Sequence, residues 1–257
     1  MPHRASWRDH CMAKVTFAFL LGFAAMPSAL SQKTVYMDVG TEAYLIVTDP
    51  AGKKTGIDSR FPQRTVPWTI MEEIPNSTIG FEADDEYATP FTHFEGRLNS
   101  PQGDGVFLID LIGNSTQVTS LTIAMYSPQK DPGVQRAKFI LKNIPIEKDS
   151  VVRYLFTYHS PIGSSIELRK LISPGSLLRD ISAMSKIGWI KKKSAFDEYS
   201  GLISSCGAQA YQGNLDGARE ALVNILHSIS ADSSKTLSSQ ACKSLRADVD
   251  SLMKQYH

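Results

Sequence analysis

Residues 151–159 read VVRYLFTYH, and this stretch carries the pattern that decides the fold of most of the chain. Its alternate positions form one apolar face, made by Val152, Tyr154, Phe156 and Tyr158. The other face is mostly polar, with Arg153, Thr157 and His159 beside Leu155. Alternation with a period of two is the pattern of a β-strand that buries one face.

Similar short runs lie on the N-terminal side of this stretch, at 43–47, 106–111, 121–125 and 139–141. Gly, Pro, Asn and Asp separate them, as expected for strands joined by turns. No helical pattern among them is long enough for a parallel crossover. The sequence therefore predicts an antiparallel β-sandwich, Ig-like in character, over residues 32–173.

The period changes after Pro174. Apolar residues recur at steps of three and four in three later segments, beginning near Phe196, Ala218 and Cys242. A shorter helix is predicted at 176–187, and Gly213 and Asn214 have the properties of a helix end and of the next N-cap. We predict an α+β fold, in which a small C-terminal helical bundle (residues 174–257) follows the sandwich.

The first 31 residues have the parts of an export signal. Basic residues open the segment, an apolar run fills 15–25, and the small residues Ala29 and Ser31 precede a cleavage position. A helix that spans a membrane needs about 20 apolar residues, so the alternative of an anchor is less favoured. The sequence predicts a cleaved signal peptide at 1–31 and a secreted or periplasmic mature chain without a transmembrane segment.

Removal of the signal leaves two cysteines and a nearly balanced charge. It takes away three basic residues and one acidic residue, so the formal charge changes from +1 to −1. This balance gives no bulk attraction to nucleic acid. Cys206 and Cys242 fall on two helical stripes, and an oxidising compartment favours a disulfide between them. The alternative is two reduced thiols that pack as small apolar groups.

The segment TDPAGKKTGID (residues 48–58) resembles a phosphate-binding loop but lacks its pattern. Val47 stands where the first glycine of GxxxxGK[ST] is required, and Lys54 stands where Ser or Thr is required. Asp, Pro and Gly at positions 49, 50 and 52 instead fit a β-turn. The sequence therefore predicts a hairpin here, with both lysines in water.

The same hairpin, D-P-x-G-K-K-x-G, is followed by Glu73-Ile74-Pro75-x-Ser77. In these motifs the chain resembles exported bacterial proteins that combine such a hairpin and an E-I-P-x-[AS] segment in a small β-sandwich. These proteins continue into an Ala/Leu-rich helical tail, to which residues 213–248 are similar. The resemblance implies export and a sandwich with a helical tail. Its motifs are structural, and they imply no catalytic residue.

Motifs for catalysis are sparse. The chain has no G-x-S-x-G elbow for a serine nucleophile and no H-E-x-x-H zinc site. His93 and Glu95 are two residues apart in a strand pattern, which puts an imidazole and a carboxylate on one face. They are the candidate site of an extracytoplasmic hydrolase, although a solvated strand face has the same pattern.

The acidic segment EADDE (residues 82–86) is the candidate for a metal site. Calcium takes several oxygen ligands from a flexible loop. Asp84, Asp85 and Glu86 supply such oxygens, but without the spaced D-x-D-x-D-G pattern. Calcium is therefore the one cofactor that the sequence proposes, and a solvated acidic loop is the alternative.

Taken together, these patterns favour an exported, non-catalytic protein that binds another protein, an envelope glycan or a copy of itself. Strand edges and loops suit such recognition. Two further hypotheses stay open. One is the hydrolase at His93 and Glu95, and the other is a purely structural accessory module. The sequence predicts no partner by name.

Overall fold

A computed structural model describes residues 34–61, 69–82, 93–99, 105–126, 135–158, 167–232 and 235–256. The predicted signal peptide lies outside these ranges. The described residues form an α+β fold, in which two antiparallel sheets precede four helices. This confirms the predicted class and the predicted order of strands before helices.

Eleven strands lie within the described part of the chain. They are β1 (Thr34–Gly40), β2 (Ala43–Thr48), β3 (Lys54–Asp58), β4 (Thr69–Glu72), β5 (Ser77–Glu82), β6 (His93–Asn99), β7 (Gly105–Gly113), β8 (Gln117–Tyr126), β9 (Gln135–Ile146), β10 (Val151–Tyr158) and β11 (Glu167–Lys170). One sheet has the order β5-β6-β1-β8-β9, and the other has the order β11-β10-β7-β2-β3-β4.

The two sheets share one hydrophobic core. Its buried residues include Met37 of β1 and Ile123 of β8 in the first sheet, and Ile109 of β7 in the second. The apolar face predicted for residues 151–158 is buried in this core. Phe107, Phe156 and Tyr158 pack there with ring centroids 6.3–6.5 Å apart. Shared burial between two antiparallel sheets is compatible with a β-sandwich.

The hairpin predicted for residues 48–58 joins β2 to β3. The backbone N–H of Gly52 donates to the carbonyl of Asp49 at 2.9 Å, which closes a β-turn. The carboxylate of Asp49 accepts the N–H groups of Ala51 and Lys53 at 2.9 and 2.8 Å. Lys53 and Lys54 are exposed, as predicted. The β-turn therefore accounts for the Asp, Pro and Gly of this segment, and a phosphate-binding loop is not needed to explain them.

Four helices follow the last described strand. They are α1 (Pro174–Lys186), α2 (Lys193–Tyr211), α3 (Leu215–Asp232) and α4 (Ser239–Met253), with a final 3-10 turn at Lys254–Tyr256. The predicted start of α1 was two residues late because Ser173 caps the helix in a reciprocal bond with Ser176. Asn214 caps α3 as predicted, since its side-chain oxygen accepts the N–H of Gly217 at 3.1 Å.

The helices bury a second core of their own. It contains Leu177 and Ile181 of α1, Ile203 of α2, Leu222 of α3 and Leu245 of α4. Each lies on the apolar stripe of its helix, so packing in a bundle removes all four stripes from water. Among the described helices, none combines the length and the hydropathy needed to cross a membrane.

Candidate functional site

The residues of the hydrolase hypothesis lie on β6. Backbone pairing places His93 opposite Gly40 and Glu95 opposite Asp38 of β1. Because side chains alternate along a strand, both positions belong to one face of the five-stranded sheet. The structure does not describe the side chains of His93 and Glu95. The hydrolase therefore stays a hypothesis.

Glu82 ends β5, and the rest of the acidic segment, including Asp84, Asp85 and Glu86, lies outside the described residues. Within the ranges that the structure does cover, no three His, Cys, Asp or Glu side chains come together as a metal site. Calcium stays a prediction from the sequence.

The two cysteines of the mature chain lie in the helical core. Cys206 on α2 is buried and Cys242 on α4 is half-buried, and no disulfide joins them in this structure. The hydroxyl of Tyr256 hydrogen-bonds the Cys206 thiol, and burial raises the pKa of both cysteines. Protonated thiols in such surroundings pack as small apolar side chains. The disulfide stays a prediction for the oxidised, exported protein.

A groove of about 460 Å³ lies where the strands meet the last helix, and we call it the junction groove. Its walls are residues 141–145 of β9, Leu168 and Lys170 of β11, and five residues of α4 between Gln240 and Asp248. Tyr154 of β10 also lines it. Its size is typical of ligand sites, and its lining mixes apolar side chains with polar groups.

A β-bulge shapes the rim of the junction groove. Where β8 contributes Ser120 alone, β9 contributes both Lys142 and Asn143. Asn143 has φ +58°, in the left-handed region that a side chain adopts at some cost in energy. A bulge of this kind bends the strand and changes the direction of its side chains. Here it brings Lys142 and Asn143 into the lining of the groove.

Two lysines give the groove its positive charge. Lys142 of β9 and Lys243 of α4 are exposed, and both line the groove. Neither ammonium forms an ion pair with the residues that the structure describes. Their charges are therefore available to a ligand with anionic groups.

An ionic cluster of Lys170, Asp180 and Asp248 adjoins the groove, which Lys170 and Asp248 line. The Lys170 Nζ donates to Oδ2 of Asp180 and to Oδ2 of Asp248, both at 2.8 Å. The three side chains are only 16%, 5% and 9% exposed. They come from β11, α1 and α4, so the cluster connects the sheet to two helices.

The electrostatics of the cluster follow from its composition. Burial opposes the charge of Lys170, but Asp180 and Asp248 outweigh burial and raise the pKa of its ammonium. Burial raises the pKa of Asp180, and it raises the pKa of Asp248 to about 6, against the attraction of Lys170. Burial also raises the pKa of the neighbouring Tyr154. The cluster therefore keeps Lys170 charged and Tyr154 protonated at neutral pH, as expected of a cross-link.

The raised pKa of Asp248 predicts a pH-dependent stability. Because its pKa is 3.8 ordinarily and about 6 when folded, the unfolded chain releases the proton first as pH rises. The contribution of Asp248 to stability is complete below pH 4 and is lost as pH rises through 6. Relative to Asp248→Asn, the wild type should lose up to about 3 kcal/mol of unfolding free energy between pH 4 and pH 7.

Urea unfolding of both proteins at four pH values in that range measures this difference. Asp250→Asn removes a carboxylate from the same helix outside the cluster, and it serves as the control. A difference between the wild type and Asp248→Asn that stays constant with pH would contradict the raised pKa.

The second sheet carries two further ion pairs. The guanidinium of Arg153 donates to both carboxylate oxygens of Asp110 at 2.5 and 2.7 Å. Arg60 donates in the same way to Asp58 at 2.8 and 2.7 Å. Each arginine is thus committed to a neighbouring carboxylate, in contrast to the two lysines of the junction groove.

Comparison of the chain with known protein families, with curated proteins and with solved structures finds no match.

Proposed function

We propose that the protein is an exported, non-catalytic binding module, and that its ligand occupies the junction groove. The observation that carries this proposal is the pair Lys142 and Lys243, two exposed cations that line one groove without ion-pair partners in the described part of the chain. The ligand is a protein or a glycan of the cell envelope. An anionic group on that ligand would meet both lysines.

The fold supports this use of the groove. The ionic cluster holds β11 against α1 and α4, and it thereby fixes the walls before a ligand arrives. A preformed site costs less conformational entropy on binding. We also propose that the two sheets form an Ig-like sandwich, which serves as the scaffold of the junction groove. The bulge in β9 interrupts the regular strand of this scaffold and places Lys142 and Asn143 in the groove lining.

Retention of envelope components by the mature chain tests the proposal. Immobilised wild type (residues 32–257) and the variant Lys142→Glu/Lys243→Glu are exposed to envelope extract, each with and without calcium. We expect the variant to retain at least about tenfold less of the specific ligand, because both favourable charges become repulsive. Loss of retention without calcium would implicate the acidic segment at 82–86.

A matched variant controls for net charge. Lys148→Glu/Lys254→Glu changes the same number of charges at exposed positions that do not line the groove. It should retain the ligand as the wild type does. Equal retention by the groove variant and the wild type would overturn the proposal, and the structural accessory module would then be favoured. Activity screens around His93 and Glu95 would test the hydrolase.

A further inference from the structure

The outer edge of β9 is a second feature of the same site. In the described part of the five-stranded sheet, β9 lies at one end and pairs with β8 alone. A strand with one neighbour leaves half of its backbone N–H and C=O groups pointing away from the sheet. These groups are able to pair with another extended chain.

The regular part of this edge is short and well defined. Residues 137–141 pair one to one with residues 121–125 of β8, and a register shift lies at each end of that stretch. One shift is the bulge at Lys142 and Asn143. The edge therefore offers about five regular residues, which end where the junction groove begins.

The exposed face of this stretch continues into the bulge and carries a simple pattern. Lys138, Ile140 and Lys142 are exposed, and Ile140 is 49% exposed although it is apolar. The alternate residues Phe139 and Leu141 pack against the core. A chain added beside β9 would present its own alternate residues to Lys, Ile and Lys in turn.

The charges favour one kind of occupant. If a second copy paired antiparallel about Ile140, Lys138 of each copy would lie opposite Lys142 of the other, and like charges opposite each other are destabilising. The lysines thus disfavour self-association, which is a common protection of sheet edges. Acidic residues at the same positions would instead be attracted to both lysines.

From this geometry we propose that β9 binds an extended acidic segment of a partner protein by strand addition. The segment has the pattern acid-x-apolar-x-acid, so that its acidic residues face Lys138 and Lys142 and its apolar residue packs on Ile140. The inference rests on the proposed function and deepens it, because it names the ligand class. The part of the partner beyond Lys142 enters the junction groove.

A synthetic peptide tests the pairing directly. The probe is fluorescein-labelled Gly-Glu-Thr-Val-Thr-Glu-Gly-amide, and its binding to residues 32–257 is followed by fluorescence anisotropy. We expect saturable binding that weakens at least about tenfold in Lys138→Glu/Lys142→Glu. The variant Lys148→Glu/Lys254→Glu, with the same change in net charge, should bind the peptide as the wild type does.

Two further tests distinguish strand addition from simple charge attraction. A peptide with lysine in place of both glutamates should bind Lys138→Glu/Lys142→Glu and not the wild type. The second test uses two N-methylated peptides. One is methylated at the backbone nitrogens of both threonines, and the other at those of the glutamates and valine. Because alternate N–H groups of a strand face its neighbour, only one of the two should lose binding. Retained binding by both would overturn strand addition.

Failure of the acidic-segment inference can be distinguished from failure of the proposed function. If the peptide does not bind, but extract retention still depends on Lys142 and Lys243, the groove is a binding site and the acidic-segment inference is overturned. Retained material that resists protease and is destroyed by periodate would show a glycan, and it would overturn the inference in the same way. Loss of retention after protease treatment, together with peptide binding, supports it.

Discussion

Replacement of Lys170 by methionine is expected to lower the free energy of unfolding by about 3–5 kcal/mol at pH 7. Methionine has a similar length but no charge, so Asp180 and Asp248 would lose the ammonium that lies 2.8 Å from each of them. Two buried carboxylates would then face each other without a compensating charge. The loss is measured by urea unfolding of residues 32–257, monitored by circular dichroism.

The expected loss depends on pH in a direction that the cluster determines. Without Lys170, the two carboxylates bind protons more readily, and protonation removes their repulsion. The destabilisation should therefore be smaller at pH 5 than at pH 7. An equal loss at both values would contradict the assignment of the effect to buried charge.

Two variants control for the loss of a lysine. Lys186→Met removes the ammonium from the half-exposed pair of Lys186 with Glu147, and it should cost only about 0–1 kcal/mol. The triple variant Lys170→Met/Asp180→Asn/Asp248→Asn removes all the charges of the cluster. It should recover most of the stability, because the buried groups no longer lack a partner of opposite charge. If Lys170→Met costs no more than Lys186→Met, the cluster is not a structural cross-link.

The ionic cluster was not predicted as a site, although the sequence contains a signal for it. Asp180 lies between Leu177 and Ile181 on the buried stripe of α1, and Asp248 lies beside Val249 on that of α4. An acidic residue on an apolar stripe requires a buried partner of opposite charge. The sequence alone does not identify that partner, because Lys170 is 78 residues from Asp248.

The elements themselves were easier to predict than their arrangement. Alternation in β10, the turn at Asp49 and the caps at Asn214 and Gly213 are local, since each depends on residues only a few positions apart. The order of strands depends on contacts between distant segments. For example, β1 lies between β6 and β8. No local pattern encodes such a choice, and the junction groove likewise depends on contacts between segments as distant as β9 and α4.

The bulge in β9 is an intermediate case. Asparagine adopts the left-handed conformation more readily than most residues, so Asn143 is a permissive position. Nothing in the sequence of β9 shows that the conformation is used there. The two lysines of the groove were likewise not distinguishable from ordinary exposed lysines until the bulge and α4 brought Lys142 and Lys243 together.

Replacement of Gly56 by alanine is expected to cost about 3–5 kcal/mol of unfolding free energy. Gly56 lies in β3 opposite Ile46 and has φ +148°, which side chains rarely adopt. A Cβ atom there would lie 2.1 Å from the carbonyl oxygen of Leu45 and 2.6 Å from the Cα of Ile46. Both are backbone atoms, so no change of rotamer relieves the overlap, and β3 must separate from β2.

Gly52→Ala is the matched control in the same hairpin. Gly52 also has a positive φ, +85°, but nothing lies within 4 Å of an added Cβ. Its replacement should therefore cost only the left-handed strain of about 1–2 kcal/mol. Thermal and urea unfolding of the two variants compare strain alone with strain plus overlap. Equal losses would mean that β3 shifts easily, whereas a larger loss for Gly56 shows that the second glycine of GKKTG serves close strand pairing.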